Sequence, residues 1–142
     1  MSTTSLAKKL GVKAGDRVGL VEAPAGMREY LRREIPAGVS FVERLPDDKV
    51  ELVLFWPRGL EGLVDRFQDL QNRIIPEGAI WVVIPKKKYA RKWGIDFRWE
   101  EIQAAGLRTD LVDSKVASVD EETYGTRFVI RAALRNKYRD QA

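Results

Sequence analysis

Two apolar runs, Val50 to Trp56 and Ala79 to Ile84, each stopped by a proline, constrain this chain more than any other feature. Only Glu51 interrupts the first, and nothing interrupts the second. Unbroken runs of this length suit strands covered on both faces, and proline ends such a ladder because it has no N–H to donate. Between the runs, Leu60, Leu63, Val64, Phe67, Leu70 and Ile74 recur at the helical period, with Glu61, Asp65, Arg66, Asp69 and Arg73 on the opposite face. That spacing predicts an amphipathic helix, which Pro76-Glu77-Gly78 ends before the second strand begins. A strand, a helix and a second buried strand form the right-handed unit of a parallel sheet with helices on both faces.

The flanking segments extend the same alternation. Leu6 and Leu10 with Gly11 behind them predict a short helix over 5–10, and Val18 to Val21 predicts a first strand. Met27, Tyr30, Leu31 and Ile35 recur at helical spacing until Pro36 and Gly38 stop them. Ser40 to Leu45 reads as a second, alternating strand, and Asp47-Asp48 turns the chain into Val50. Phe97 to Ala105 predicts a helix with Asp96 as N-cap and Gly106 just past its end. Leu111 to Val119 and Thr126 to Leu134, around the turn-like stretch from Asp120 to Gly125, predict an antiparallel hairpin. The charged tail 135–142 is expected to fray, and residues 1–142 read as one domain.

Composition removes whole classes of chemistry. The chain has no cysteine and no histidine, which excludes disulfides, thiolate catalysis and cysteine or histidine metal sites. No metal site and no catalytic residue are expected, and any acid–base work would fall to carboxylates, Lys, Arg, Tyr or hydroxyls. No run approaches the roughly 18 apolar residues of a membrane span, and the N-terminus lacks a signal-peptide core. A soluble, unprocessed, cytoplasmic protein without a membrane partner is the expectation. The net charge of +4 conceals a cluster, since Lys86 to Lys92 holds five basic residues and no acid.

The passage Ile74-Ile75-Pro76-Glu77-Gly78-Ala79-Ile80-Trp81-Val82-Val83-Ile84-Pro85 resembles the helix-to-strand step of class I S-adenosylmethionine methyltransferases, whose folds also close with an antiparallel hairpin. Gly15-Asp16-Arg17-Val18, Pro85-Lys86-Lys87, Gly106-Leu107, Leu111-Val112-Asp113-Ser114-Lys115-Val116 and Gly125-Thr126-Arg127-Phe128 resemble a family of short bacterial proteins of unknown function. The two resemblances together imply a degenerate methyltransferase-like fold without an assigned activity. The expected architecture is α/β, a three-layer Rossmann-like sandwich whose six-stranded sheet runs 2-1-3-4-6-5 with strand 6 antiparallel.

In such sheets the ligand crevice lies beyond the carboxyl ends of the strands. Glu22, Ala25, Gly26, Glu43, Arg44, Trp56, Arg58 and Lys86 fall there, and Glu43 stands where the resemblance implies an acid holding a ribose. The loop argues against methyl transfer. Pro24 fixes φ and removes an N–H where the family's turn is built of glycines, and the strand and helix normally found before Val50 are missing. S-adenosylmethionine is therefore expected to bind weakly or not at all, and no other cofactor is expected. Trp56-Pro57 offers either a ring to stack on a base or a packed lid, and packing is the expected outcome. Lys87, Lys88, Arg91 and Lys92, interleaved with Tyr89 and Trp93, form a candidate anion surface for a small anion, a nucleotide or, with less support, nucleic acid. The preferred reading is a non-catalytic binding or interaction module with a basic crevice. The alternative is a small S-adenosylmethionine-dependent methyltransferase or nucleotide-using enzyme with an atypical loop.

Overall fold

The structure is a computed structural model that describes residues 5–139. Its strands are β1 (Arg17–Val21), β2 (Ser40–Val42), β3 (Val50–Phe55), β4 (Ile74–Pro85), β5 (Leu111–Ser118) and β6 (Thr123–Ile130). They form one six-stranded sheet in the order β2-β1-β3-β4-β6-β5. β1 pairs in parallel with β2 and β3, β3 pairs in parallel with β4, and β6 lies antiparallel between β4 and β5. The expected order and the antiparallel sixth strand are both observed.

Side chains alternate across the sheet and so build two cores. Leu52, Leu54 and Trp56 join Ala79, Trp81 and Val83 on one face, under α1 (Leu6–Leu10) and α2 (Met27–Glu34). Val53, Phe55, Ile80, Val82 and Ile84 point the other way, to α3 (Leu63–Gln71) and α4 (Trp99–Leu107). On that second face the Phe67 ring meets Phe55 edge-on at 6.2 Å and Phe128 at 5.2 Å. α1 is anchored from the core, because the buried Trp81 Nε1 donates to the Leu10 carbonyl at 3.0 Å.

Besides the C-terminal end of α4, which takes in Gly106 and runs to Leu107, five boundaries differ from expectation. α3 ends at Gln71, and β4 starts at Ile74, so Pro76 and Gly78 lie inside a strand. The proline is tolerated because the β3–β4 ladder steps from Val50↔Ile74 to Leu52↔Ala79, which leaves 75–78 outside regular pairing. Gly78 sits where a Cβ would come within 2.6 Å of the Glu51 carbonyl. β2 stops at Val42 instead of Leu45, and Leu45 folds back across Gly19, leaving no room there for a Cβ. α4 is capped at Arg98, not Asp96, with the Glu101 carboxylate accepting from the Arg98 backbone N–H at 2.9 Å. β6 begins at Thr123, since the Asp120 carboxylate gathers the Glu122 and Thr123 N–H groups and closes the turn early.

The fifth difference is the tail. β6 ends at Ile130, a 3₁₀ turn covers Ala132–Leu134, and α5 (Arg135–Arg139) docks where fraying was expected. Charge made the segment look solvated, but Tyr138 is only 2% exposed, and its hydroxyl donates to Asp110 at 2.5 Å. Lys137 pairs with the same carboxylate at 3.1 Å.

Gly106 gives a test in which packing and helix propensity oppose each other. Alanine improves a helix interior by up to about 1 kcal/mol over glycine, but a Cβ at 106 would lie 2.4 Å from the ring of the fully buried Phe128. Overpacking costs typically about 1–3 kcal/mol and should win. Gly106→Ala is expected to lower the urea midpoint, with a net loss of roughly 1 kcal/mol.

The Tyr138 hydrogen bond, aided by Lys137, holds the Asp110 carboxyl below its ordinary range, and burial with the same bond pushes the Tyr138 phenol up. A carboxylate with a depressed folded pKa adds stability above its unfolded value, near about pH 4, and that stability is lost as pH falls through the lower folded value. Tyr138→Phe should therefore cost about 1–2 kcal/mol at neutral pH. The deficit should shrink as pH falls below the ordinary carboxylate range and through the lower folded value. Denaturation of both proteins at several pH values checks the convergence.

Candidate functional site

The carboxyl ends of the parallel strands gather the loops after β1, β2, β3 and β4 at one edge of the sheet. β1 leaves the sheet through Glu22, the sole non-glycine residue with positive φ (59°) among the described residues. This left-handed turn is unusual for a residue with a Cβ. The exposed Glu22 carboxylate forms an ion pair with Arg66 of α3 at 2.9 Å. Pro24 then accepts the Met27 N–H at 3.1 Å, and Gly26, at φ 83°, caps α2. The first helical N–H is thus taken by the turn itself, while Ala25 and Gly26 are exposed.

Glu43 follows a β2 of three residues, and its carboxylate lies 3.5 Å from the Arg28 guanidinium on α2. Arg28 also donates to the Phe41 carbonyl at 3.4 Å. The carboxylates after β1 and β2 therefore each face an arginine from this chain. Trp56 is buried at 2% exposure in the α1–α2 layer, and its backbone N–H donates to the Val21 carbonyl. It packs and presents no face for stacking. Arg44 and Arg58 are exposed without a side-chain partner among the described residues, Arg58 beside Glu22 and Arg66 in a shallow hollow.

The basic segment divides in two. Lys86 Nζ donates to the Asp120 carbonyl at 2.8 Å, Lys92 pairs with Glu122 at 2.6 Å, and Trp93 Nε1 donates to Glu122 at 2.8 Å. The Lys92 hydrogen bond holds Glu122 below its ordinary range, and the same bond raises Lys92. Lys87, Lys88 and Arg91 remain exposed with no carboxylate partner among the described residues. The expected single basic crevice is corrected accordingly. The concavity beside Pro24 to Met27, about 410 Å³, is walled by Tyr30, Trp93 and the acids Asp120, Glu121 and Glu122. The β5–β6 turn carries those acids onto the basic segment, so the charge at the loop after β1 is acidic.

Sequence reasoning missed a second concavity of about 270 Å³ between the end of β4 and the start of α4. Its walls include Phe97, Trp99 and Tyr124, with Lys87 and Arg98 among its lining residues. The signal in the sequence was the aromatic spacing of Phe97 and Trp99 just after the cations, which helix periodicity had absorbed into a core. Among the described residues, no cluster of three or more Asp or Glu is arranged to hold a metal ion. Nor is any described helix long and apolar enough to cross a membrane.

Among solved structures, this chain is similar to the N-methyltransferase NodS from Bradyrhizobium japonicum WM9, at 13% identity and TM-score 0.59, over 88% of this chain and 92% of that one. A structure of NodS in complex with S-adenosyl-L-homocysteine matches at 12% identity and TM-score 0.56, over 89% and 83%. A S-adenosylmethionine-dependent methyltransferase from Aquifex aeolicus matches at 17% identity and TM-score 0.60, over 88% and 87%. At these identities the likeness establishes a methyltransferase-like fold. No curated protein matches this chain. Residues 7–132 match a family described as a protein of unknown function, DUF3052, and the chain belongs to that family.

Proposed function

We propose that this protein is a non-catalytic binding module on a methyltransferase-like fold, and that its ligand is anionic. The observation that carries this reading is the occupation of the crevice by the chain's own side chains. Glu22 is held by Arg66, Glu43 by Arg28, and Trp56 fills the α1–α2 side below the loop after β3. Pro24 supplies no N–H to a ligand, and only seven residues, 43–49, separate β2 from β3. A nucleoside would therefore meet neither a free acid for its ribose nor an additional strand–helix wall for its base.

The anionic preference comes from the uncompensated half of the basic segment. Lys87, Lys88 and Arg91 stand together at the end of the central strand β4, while Lys86 and Lys92 are spent on the β5–β6 turn. Cations left without carboxylates raise the local potential and attract phosphate or carboxylate groups. The competing reading is an enzyme using S-adenosylmethionine or a nucleotide, and it draws only on the shared fold.

Isothermal calorimetry with S-adenosylmethionine and S-adenosylhomocysteine separates the two. No binding heat is expected, and a dissociation constant in the low micromolar range, about −8 kcal/mol, would move the protein to the enzyme reading. Replacing Lys87, Lys88 and Arg91 with alanine should weaken binding of a fluorescent nucleotide or oligonucleotide and flatten its dependence on salt, since fewer counterions are released. Stability should change by no more than about 0.5 kcal/mol. Equal affinity and equal salt slope for both proteins would reduce the segment to a solvated loop.

A further inference from the structure

The concavity beside α4 differs from the hollow beside Glu22 and Arg66 in that no ion pair among the described residues joins its lining side chains. It holds about 270 Å³ and is more enclosed than the hollows beside Glu22 and Gly26. Its floor is one rung of the sheet, since Ile84 of β4 pairs directly with Tyr124 of β6. Directly opposed residues project to the same face, so the apolar side chain and the phenol lie side by side. Trp99 forms a wall whose orientation is set, because its Nε1 donates to Thr126 Oγ1 at 2.7 Å, and the largely buried Phe97 forms another. The aromatic lining is therefore held in place before any ligand arrives.

Polar groups sit around that apolar interior. Lys87 and Arg98 are exposed and have no carboxylate partner among the described residues. Glu100 also lines the cavity, leaving a surplus of one positive charge at its polar groups. The Tyr124 hydroxyl has no hydrogen-bond partner among the described residues, and burial, with the Glu100 charge, raises its pKa, so it is a protonated donor at neutral pH. The volume lies just under the range of about 300–1,000 Å³ for small-molecule pockets. That admits one ring system and its acidic substituent, and excludes a dinucleotide.

We infer that this cavity binds a planar aromatic anion, with its ring against Trp99, Phe97 and Tyr124 and its acidic group toward Lys87 and Arg98. Aromatic faces supply stacking area, and a guanidinium with an ammonium supplies charge-assisted hydrogen bonds. The inference deepens the anionic-ligand reading and rests on it for the sign of the ligand's charge alone. A mononucleotide and an aromatic carboxylate share this chemistry, and the experiment separates them.

Adenosine 5′-monophosphate and indole-3-acetate are titrated to millimolar concentration against the ¹⁵N-labelled protein, with adenosine and indole as neutral counterparts. An acid is expected to shift the amides of Ile84, Ala90, Ile95 and Tyr124, and to bind more tightly than its neutral counterpart. Arg98→Ala should weaken the acid about fivefold and leave the neutral compound unchanged. Ala90→Phe, which fills the cavity and spares the surface cations, should abolish both. Tighter binding of the nucleotide assigns mononucleotides, and the reverse order assigns aromatic carboxylates. Absence of shifts with either acid, shifts centred elsewhere, or equal affinity of wild type and Arg98→Ala for the acid would overturn the assignment. Should Ala90→Phe not fold, the exposed Arg98 substitution decides alone. Loss of nucleotide binding in the Lys87, Lys88 and Arg91 variant with no effect of Ala90→Phe or Arg98→Ala sinks the cavity and keeps the anion surface, whereas binding of S-adenosylmethionine with the cavity shifts intact keeps the cavity and overturns the non-catalytic reading.

Discussion

The fold is organised around Trp81. Its indole is fully buried at the middle of β4, and its Nε1 reaches the Leu10 carbonyl. α1 has five residues, far fewer than an isolated helix needs, so it persists because of that hydrogen bond and the apolar contacts of Leu6, Ala7 and Leu10. The same ring dictates what may stand beside it. A Cβ at Gly125 of β6 would lie 2.9 Å from the indole, so the antiparallel strand is admitted next to β4 only with a glycine at that rung. Lys115 of β5 completes the cover with its ammonium 5.8 Å from the ring. A helix, an inserted strand and an edge strand thus all meet one side chain.

The ion pairs at the carboxyl edge act differently. Exposed pairs such as Arg66–Glu22 and Arg28–Glu43 are worth between nothing and about 1 kcal/mol. Their importance lies in recognition, since a carboxylate facing an arginine of its own chain is no longer an isolated negative charge for a ligand to find. Lys92 and Glu122 do the same to the basic segment, with Trp93 adding a second donor to that carboxylate. The cations left without a carboxylate after these pairings, among the described residues, include Arg44 and Arg58 and the set after β4 and at the start of α4. The electrostatic character of this face comes from what the fold leaves over, and total charge says little about it.

Legibility in the sequence followed the range of the interactions concerned. The runs Val50 to Trp56 and Ala79 to Ile84 announced central strands because burial on both faces is written residue by residue, and the order of elements followed from them. Boundaries set by distant partners were illegible. Pro76 looked like a terminator, and only the irregular pairing of β4 with β3 lets it sit within a strand. Tyr138 looked like part of a solvated tail because its partner, Asp110, lies 28 positions earlier. The candidate site suffered most from this. Lys86 to Lys92 read as a basic crevice, but the acids that engage it come from a turn about 30 positions later, and the aromatic cavity joins residues of β4, α4 and β6 that share no local pattern.

The shape of the two sheet edges bears on how this protein behaves in a crowd of its own copies. An open sheet offers unpaired backbone groups at both margins, which invites ladder formation with another chain. Here β2 presents only three residues. At the opposite margin β5 is longer, but its pairing shifts between Asp113 and Lys115, and Lys115 stands beside that irregularity. A short strand gives a templating neighbour too little to grip, while a bulge with a charge twists the other margin out of register. With three residues at one margin and a bulged, charged strand at the other, the six-stranded sheet offers no long regular ladder at either edge.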